Sequence, residues 1–578
     1  MGKDFFKSDY FLAFLLLIIG CLIVITYFIG PSNPDEFLYL WISKQINENG
    51  IQDYLSRANT SLRYLKVIYN ILVYLPVKLF GYNFFSYTFI SVLSYLLTSI
   101  LIYFFVKKIN GSSFQAFAAS IFFMTIPASV FYSTLVLPEM IHCLTVFISI
   151  TITILAAKKT EKNGIYFLIA GIFWGISLYL REHSVFIFPV FIFLVFKYMK
   201  NVKYKFLNII AGYLLIFIVV NGIVYLFTGD FLYQWSFAKL RFGGVNPENT
   251  KFFEPVGSRL YYTYALLTRV DFFGLYVIMI TLIMGFLVVN KNLRIIIYDD
   301  IFYILVVLFF SYEILYRFIL PAPRTIAYIS PMFPFIAIYI SGLLFKTAPL
   351  IQNSVRKCLG VFSFILIFCA LFLVVLKNII LDYISNLLNS RDNYLLNSEI
   401  KSEIFYNLLL IAICIIITVT IITLLNKKIN RYSFQVVSIT ILLTTSLLFF
   451  IPVRIQKHVD YVLLNKDLCD FISNSEFNQI FVHHGYQRSP LICYSGYRIS
   501  DGYINSNRDI KDKKRIKPFS EIDSSGEGLL IVDDLLLERQ INNKEINYDI
   551  YNKIMAIKSG SLPVFRKGKI SVYYISQQ

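Results

Sequence analysis

Charged residues are scarce in this sequence. Asp, Glu, Lys and Arg make up 15% of the 578 residues, whereas 57% are hydrophobic and the mean hydropathy is +0.65. So little charge excludes an ordinary soluble protein, because the surface of a soluble chain of this length needs many more polar groups. The composition predicts an all-α polytopic membrane protein.

Acidic residues are the scarcer of the two charged classes. The chain has 35 Asp and Glu against 53 Lys and Arg, which gives a net charge of +18. In a soluble protein this excess of positive charge would suggest a nucleic-acid partner. In a membrane protein it is first explained by the Lys and Arg residues of the cytoplasmic loops. We therefore expect the lipid bilayer as a partner and no nucleic acid.

Apolar runs long enough to cross a bilayer recur along the first 450 residues. A helix needs roughly 17 to 25 such residues to cross about 30 Å of hydrocarbon. We predict 13 spans, at residues 10–30, 84–106, 113–133, 136–157, 164–180, 184–199, 206–228, 272–290, 301–320, 325–345, 358–378, 403–425 and 434–452.

Basic residues fall in alternate loops between these spans. If the N-terminus is cytoplasmic, every cytoplasmic loop contains Lys or Arg, as the positive-inside rule requires. The first run is too long for a signal peptide and lacks a cleavage site, so we interpret it as an anchor. The pattern predicts a multi-pass plasma-membrane protein in which residues 31–83, 229–271, 379–402 and 453–578 lie outside the cytoplasm.

The last 126 positions differ from the rest of the chain. Residues 453–578 contain frequent Asn, Gly and Ser, with short β-type runs such as "NQIFVHH" and "KISVYYI". This pattern predicts a small extracytoplasmic α/β domain. We predict that the transmembrane domain comprises residues 1–452.

Two outer loops contain unusual acids. "NPDEFLYL" places Asp35 and Glu36 after the first span, ahead of an amphipathic stretch that predicts an interfacial helix. "LVLPEM" places Glu139 in a short apolar turn on the same side. Each acid has a simple alternative role at a helix start, where carboxylates are stabilised by the helix dipole. Together they also suit a base and its supporting acid.

Several cationic residues lie in loops predicted to be outside the cytoplasm, where the positive-inside rule predicts few of them. "YLREHS" contains Arg181 and His183, "GSRLYYTY" contains Arg259 and Tyr262, and "PAPRTIAY" contains Arg324. Arg and Lys side chains of this kind either bind an anion or snorkel to the interface. Both interpretations stay open at the level of the residues alone.

The order of several blocks resembles the GT-C glycosyltransferases of the protein-mannosyltransferase and lipid A aminoarabinose-transferase kind. The likeness runs through most of residues 10–345, and 13 helices with an outer C-terminal domain match the aminoarabinose-transferase architecture. The blocks are a first helix followed by "PDE", then "VYLPVKLFGYNFFSYTFISVLSYLLTSILIYFFVKK", "AASIFFMTIPASVFYSTLVLPEM", "LIAGIFWGISLYLREHSVFIFPVFIF" and "PRTIAYISPMFPF".

This resemblance implies an enzyme that transfers a sugar from a polyprenyl- or dolichyl-phosphate donor to a protein, lipid or glycan outside the cytoplasm, with inversion. Within 1–452, which would be the catalytic domain, Asp35 falls on the family's general base and Glu36 on its supporting neighbour. Glu139 falls where the family usually has Asp after Pro. A lipid phosphate is a good leaving group, so the reaction needs a base and cations more than a strong acid.

The resemblance also implies a set of donor phosphate-binding residues. Arg181 falls where a Lys or Arg commonly follows the fifth helix, and Arg259 with Tyr262 resembles the loop that closes on the phosphate. With His183 and Arg324 they form the predicted set. We predict no required cofactor or metal, while a divalent ion bridging Asp35 and the phosphate is the alternative.

Two other classes of function compete with this one. A transporter or lipid flippase predicts ionisable residues near the bilayer midplane and an internal repeat, neither of which is evident. An envelope polysaccharide polymerase or ligase would place its catalytic residues in a large late outer loop, whereas here the acids come early. The signature "WWDYG" of oligosaccharyltransferases is absent.

Overall fold

The computed structural model of the chain describes most of its N-terminal half and parts of its C-terminal half. The described residues are 9–31, 34–58, 64–110, 112–158, 164–198, 204–233, 300–315, 326–351, 451–475, 479–482, 500–501, 515–518, 528–534, 548–567 and 570–575, with a few single positions between them.

The described membrane part is helical. Its helices are α1 (Asp9–Thr26), α2 (Pro34–Ser56), α3 (Val67–Phe80), α4 (Phe84–Asn110), α5 (Ser113–Thr125), α6 (Pro127–Ser133), α7 (Glu139–Lys158), α8 (Ile165–Leu180), α9 (Phe188–Lys197), α10 (Phe206–Thr228), α11 (Asp300–Phe309) and α12 (Phe333–Ile351). A 3₁₀ turn at Glu182–Ile187 precedes α9, a π segment at Phe310–Leu315 follows α11, and a 3₁₀ segment at Ile326–Met332 precedes α12.

Within the described ranges, four helices are long and apolar enough to span a bilayer. They are α1, α4, α7 and α10, and the pair α5 and α6, bent by 66° after Thr125, makes a fifth if counted as one span. The break falls before Pro127, which lacks the backbone N–H needed to continue the first helix. Of the 13 predicted spans, 358–378 and 403–425 lie outside the described residues, and 272–290 and 434–452 are described at only a few positions.

Charged side chains at one end of the helix bundle form two groups of ion pairs. At one end Asp9 pairs with Lys107 and accepts a hydrogen bond from Tyr103 at 2.6 Å. At the same end of the neighbouring helices, Asp300 pairs with Lys158 at 3.2 Å and with Lys197. All these residues border segments that we predicted to be cytoplasmic.

Helix α2 occupies the stretch where we predicted an interfacial helix. Its apolar side chains pack against α3 and α10. Ile42 and Ile46 share a cluster with Tyr54 and with Tyr179 of α8. The helix is interrupted at Gly50, where φ is +88°, a conformation that favours glycine. Contacts with α3, α8 and α10 therefore hold α2 in place.

Helices α8 and α10 lie in very close contact. A Cβ on Gly171 would lie 2.0 Å from the Ile209 carbonyl oxygen, and one on Gly212 would lie 2.2 Å from the Leu168 oxygen. Small residues let two membrane helices approach until their backbones touch. This packing holds the C-terminal end of α8, which leads into the polar cluster described below.

The C-terminal part contains a mixed six-stranded sheet. Its strands, β1 (Gln479–Val482), β2 (Ser500–Asp501), β3 (Arg515–Pro518), β4 (Gly528–Asp533), β5 (Phe565–Lys567) and β6 (Ile570–Ile575), lie in the order β2-β3-β1-β4-β6-β5. Strands β1 to β4 are parallel to one another, and β6 is antiparallel to its two neighbours, β4 and β5. Helices α13 (Ile451–Asn474) and α14 (Tyr548–Gly560) accompany the sheet. Helix α13 begins next to the predicted boundary at residue 452.

Candidate active site

A buried carboxylate holds the turn between α6 and α7. Glu36, in the first turn of α2, is fully buried and its Oε2 accepts a hydrogen bond from the Val136 N–H at 2.7 Å. From α4, the Ser91 hydroxyl donates to the Leu135 oxygen at 2.7 Å. Because buried polar groups need partners, these bonds fix the turn against the start of α2. The residue predicted as a supporting acid thus contacts backbone.

A buried ion pair joins the start of α7 to the end of α8. Glu139 is fully buried and its carboxylate pairs with the Arg181 guanidinium, whose side chain is 13% exposed. Arg181 follows α8 in an extended conformation (φ −147°, ψ 117°), which directs the chain away from the helix. From the other side, the Ser330 hydroxyl donates to the Glu139 backbone oxygen at 3.1 Å. Two residues that we assigned to separate roles therefore form one unit.

A buried lysine completes the group of charges. Lys66, immediately before α3, is only 6% exposed, and its Nζ lies 5.9 Å from the centre of the Tyr39 ring. The Tyr39 and Tyr69 rings meet edge to face at 4.9 Å, and both Glu36 and Arg181 act electrostatically on Tyr69. Sequence reasoning missed Lys66, because a lysine ahead of an apolar run normally indicates a side chain at the interface.

Two buried histidines line the same region. The His142 and His183 rings meet edge to face at 5.0 Å, and His183 contacts the Tyr312 ring at 5.4 Å. Burial holds the pKa of His183 well below its ordinary 6.5, and His142, Arg181 and Lys66 lower it further. His183 is therefore neutral at pH 7. If it binds a phosphate, it does so by a hydrogen bond and not by charge.

Several predicted residues cannot be placed. The backbone of Asp35 lies in the first turn of α2, but its side chain is outside the described part of the structure. Arg259, Tyr262 and Arg324 also lie outside the described residues. The structure thus brings Glu36, Glu139, Arg181 and His183 of the predicted set together, along with Lys66.

The charges of the described cluster balance. Glu36 and Glu139 contribute two negative charges, and Lys66 and Arg181 two positive ones, all of them in side chains largely removed from water. Buried ions persist when they are paired or hydrogen-bonded, and such clusters are candidate functional sites. Among the described residues, no group of three His, Cys, Asp or Glu could hold a metal ion.

Comparison with known proteins agrees with the predicted fold. Residues 68–225 match the family model for dolichyl-phosphate-mannose-protein mannosyltransferases. The crystal structure of ArnT from Cupriavidus metallidurans bound to undecaprenyl phosphate is similar over 97% of both chains, with a TM-score of 0.57 and 11% identity. For ArnT in the apo state, coverage and TM-score are the same and identity is 13%. No curated protein sequence matches the chain. The predicted GT-C fold is confirmed, and the 13 spans and the C-terminal α/β domain are confirmed in part.

Proposed function

We propose that this multi-pass membrane protein, which has the GT-C glycosyltransferase fold, transfers a sugar from a polyprenyl-phosphate carrier to an acceptor on the extracytoplasmic side, with inversion. The observation that carries the proposal is the buried cluster of Glu36, Glu139, Lys66 and Arg181. Glu139 and Arg181 lie in the segment that matches the family model, and Glu36 and Lys66 precede it, in a fold shared with a protein crystallised with undecaprenyl phosphate.

The proposed role of the cations is to bind the donor phosphate. As the bond between sugar and phosphate breaks, negative charge grows on the phosphate, and preorganised cations in a dry site stabilise it far better than water does. Lys66 and Arg181 are the described candidates. Because Glu36 and Glu139 already balance their charge, a phosphate needs further cations, and we assign that role to Arg259 and Arg324.

The proposed general base is Asp35. A base must take the proton of the acceptor hydroxyl as the oxygen attacks the anomeric carbon from the side opposite the phosphate. Glu36 Oε2 accepts a hydrogen bond from the Val136 N–H, and we assign the base to the neighbouring carboxylate, Asp35. We assign Glu36 to holding the turn, and Glu139 to orienting Arg181.

The proposed orientation places the N-terminus in the cytoplasm and the sheet domain outside. In support, Lys107, Lys158 and Lys197 are at the end of the bundle opposite Glu139 and Arg181, as the positive-inside rule expects for a cytoplasmic face. A protease added to intact cells should cleave within 453–578. Protection of that region in intact cells, with cleavage only after lysis, contradicts the orientation.

The test of the proposed base is the change Asp35→Asn. The variant should lose transfer from a radiolabelled polyprenyl-phosphate sugar in membranes by about 10²- to 10⁴-fold, the usual contribution of a general base. Its affinity for the donor should stay unchanged. Asp53→Asn is the matched control, because Asp53 lies on the same helix and forms an ion pair with the neighbouring Arg57 at 3.0 Å. A wild-type rate in Asp35→Asn overturns the assignment.

A further inference from the structure

A second contact joins the same two segments that carry Glu139 and Arg181. Three residues after Glu139, His142 Nε2 lies 2.7 Å from the Ser184 hydroxyl oxygen. Ser184 is itself three residues after Arg181. The start of α7 and the turn after α8 are therefore joined by two cross-links, Glu139–Arg181 and His142–Ser184. Residues three apart on a helix lie on one face, which places both α7 partners toward the turn.

The hydrogen positions in the second cross-link follow from its surroundings. The Ser184 hydroxyl lies 2.7 Å from the Arg181 carbonyl oxygen and 2.8 Å from the Ser177 oxygen, and it has one hydrogen to donate to them. If that hydrogen pointed to His142, two carbonyl oxygens would face a bare oxygen. His142 Nε2 therefore carries a proton and donates to Ser184.

The second cross-link acts on the backbone of Arg181. Ser184 Oγ bonds the Arg181 carbonyl, and the Ser184 N–H donates to that same oxygen at 3.0 Å. On the other side, the Trp174 indole N–H donates to the Ser184 carbonyl at 2.9 Å. His142 and Ser184 are both fully buried, so losing either partner leaves a polar group unsatisfied away from water.

We propose that His142 and Ser184 are positioning residues that set the Arg181 guanidinium for the donor phosphate. This inference rests on the proposed function. The arginine extends from a non-helical residue at the end of α8, so its direction depends on the three residues that follow. Helix α7 supplies both the partner of the guanidinium, Glu139, and the group that fixes its backbone, His142.

The first test compares His142→Phe with His142→Gln. Phe removes the donor, whereas the Gln side-chain amide can still donate to Ser184. We expect His142→Phe and Ser184→Ala to weaken binding of undecaprenyl phosphate by about tenfold, the effect of one lost buried hydrogen bond. His142→Gln should restore most of the affinity. Equal loss in Gln and Phe overturns the proposal.

The matched control is Ser149→Ala. Ser149 is two turns further along α7, and its hydroxyl also clamps α8, by a bond to the Ala170 oxygen at 2.6 Å. Its loss should lower the unfolding temperature about as much as Ser184→Ala does, without changing undecaprenyl phosphate affinity. If Ser149→Ala weakens binding equally, the effect of Ser184 is general destabilisation and the proposal is wrong.

A double-variant background distinguishes action through Arg181. In Glu139→Gln/Arg181→Met, the change His142→Phe should leave undecaprenyl phosphate affinity unaltered, because the group it positions is gone. The same tenfold loss in that background contradicts the proposal. A readout that needs no donor is phenylglyoxal modification of Arg181, followed by peptide mass spectrometry. The rate should rise in His142→Phe and return in His142→Gln.

The two readouts separate the failure of this inference from that of the proposed function. If the wild-type chain does not bind undecaprenyl phosphate, the proposed function fails, and the modification rate of Arg181 still decides whether His142 holds it. An unchanged modification rate in His142→Phe overturns the positioning role even where the donor binds.

Discussion

Removing Arg181 while Glu139 stays should damage the protein more than removing both. Arg181→Met keeps much of the side-chain length but deprives the fully buried Glu139 carboxylate of the guanidinium with which it pairs. Glu139→Gln/Arg181→Met replaces the pair by two neutral groups. We expect the single variant to be much less stable than wild type, and the double variant to recover most of the difference.

The magnitude follows from the burial of the pair. Two unit charges about 4 Å apart attract by about 4 kcal/mol at an effective dielectric constant near 20. Breaking a buried pair by deleting one partner costs about 3–5 kcal/mol, whereas neutralising both is often nearly neutral. We expect a cost at the upper end of this range, since Glu139 is fully buried and the Arg181 side chain with which it pairs is only 13% exposed. Recovery in the double variant should therefore amount to about 3 kcal/mol or more.

The assay is thermal unfolding of purified protein in detergent, followed by size-exclusion chromatography, with sugar transfer measured in parallel. The double variant should recover the unfolding temperature and not the activity, because the proposed phosphate ligand is still missing. Lys44→Met/Glu48→Gln is the control, since that pair lies on α2 at 3.6 Å with Glu48 half exposed, and exposed pairs contribute little. If Arg181→Met is as stable as wild type, the pair is not the buried unit described above.

Three further predictions follow from single features of the structure. Lys66→Met should weaken donor binding by tenfold or more, because a buried cation is lost. Lys78→Met, which changes an exposed lysine in the last turn of α3, should leave the affinity unchanged. Equal donor affinities of the two variants in a binding titration refute this. Gly212→Ala should lower the unfolding temperature, because its Cβ would lie 2.2 Å from a backbone oxygen of α8. Gly222→Ala on the same helix should not, because its Cβ would meet open space. Equal unfolding temperatures of the two variants contradict the close packing of α8 and α10. His183→Gln should make the free energy of unfolding depend less on pH between pH 7 and 5. The histidine stays neutral in the folded protein but binds a proton below about pH 6.5 in the unfolded chain, so acid favours unfolding of the wild type. An unchanged dependence of stability on pH in the variant excludes this.

The positions of the long helices could be predicted because their signal is local. The run 206–228 was predicted with its observed bounds, and 136–157 differs from the observed Glu139–Lys158 by three residues or fewer at each end. Helix α3 was missed as a separate element because Val67–Phe80 has only 14 residues and contains Pro76. A criterion based on the thickness of the bilayer cannot find a helix that does not cross it.

The burial of the site could not be predicted in the same way. Lys66 precedes α3 and Lys78 lies in its last turn, and nothing in their immediate neighbours separates them, yet Lys66 is buried beside Tyr39 and Lys78 is exposed. The difference arises because the start of α3 meets α2 and the turn after α8, which are distant in sequence. Side-chain burial at a junction of three segments depends on tertiary contacts that hydropathy does not report.

The pairing of Glu139 with Arg181 lies between these two cases. The predicted topology has both residues on the same side of the membrane. This is compatible with a contact between them but does not predict one. The sequence does contain a further signal, since "EMIH" and "REHS" each place a second polar residue three positions after the charged one. Two polar contacts with equal spacing in both segments, Glu139–Arg181 and His142–Ser184, fix one register between them, which a single acid and a single base cannot do. The matched spacing, rather than either charge alone, is therefore the feature from which this site could have been assembled.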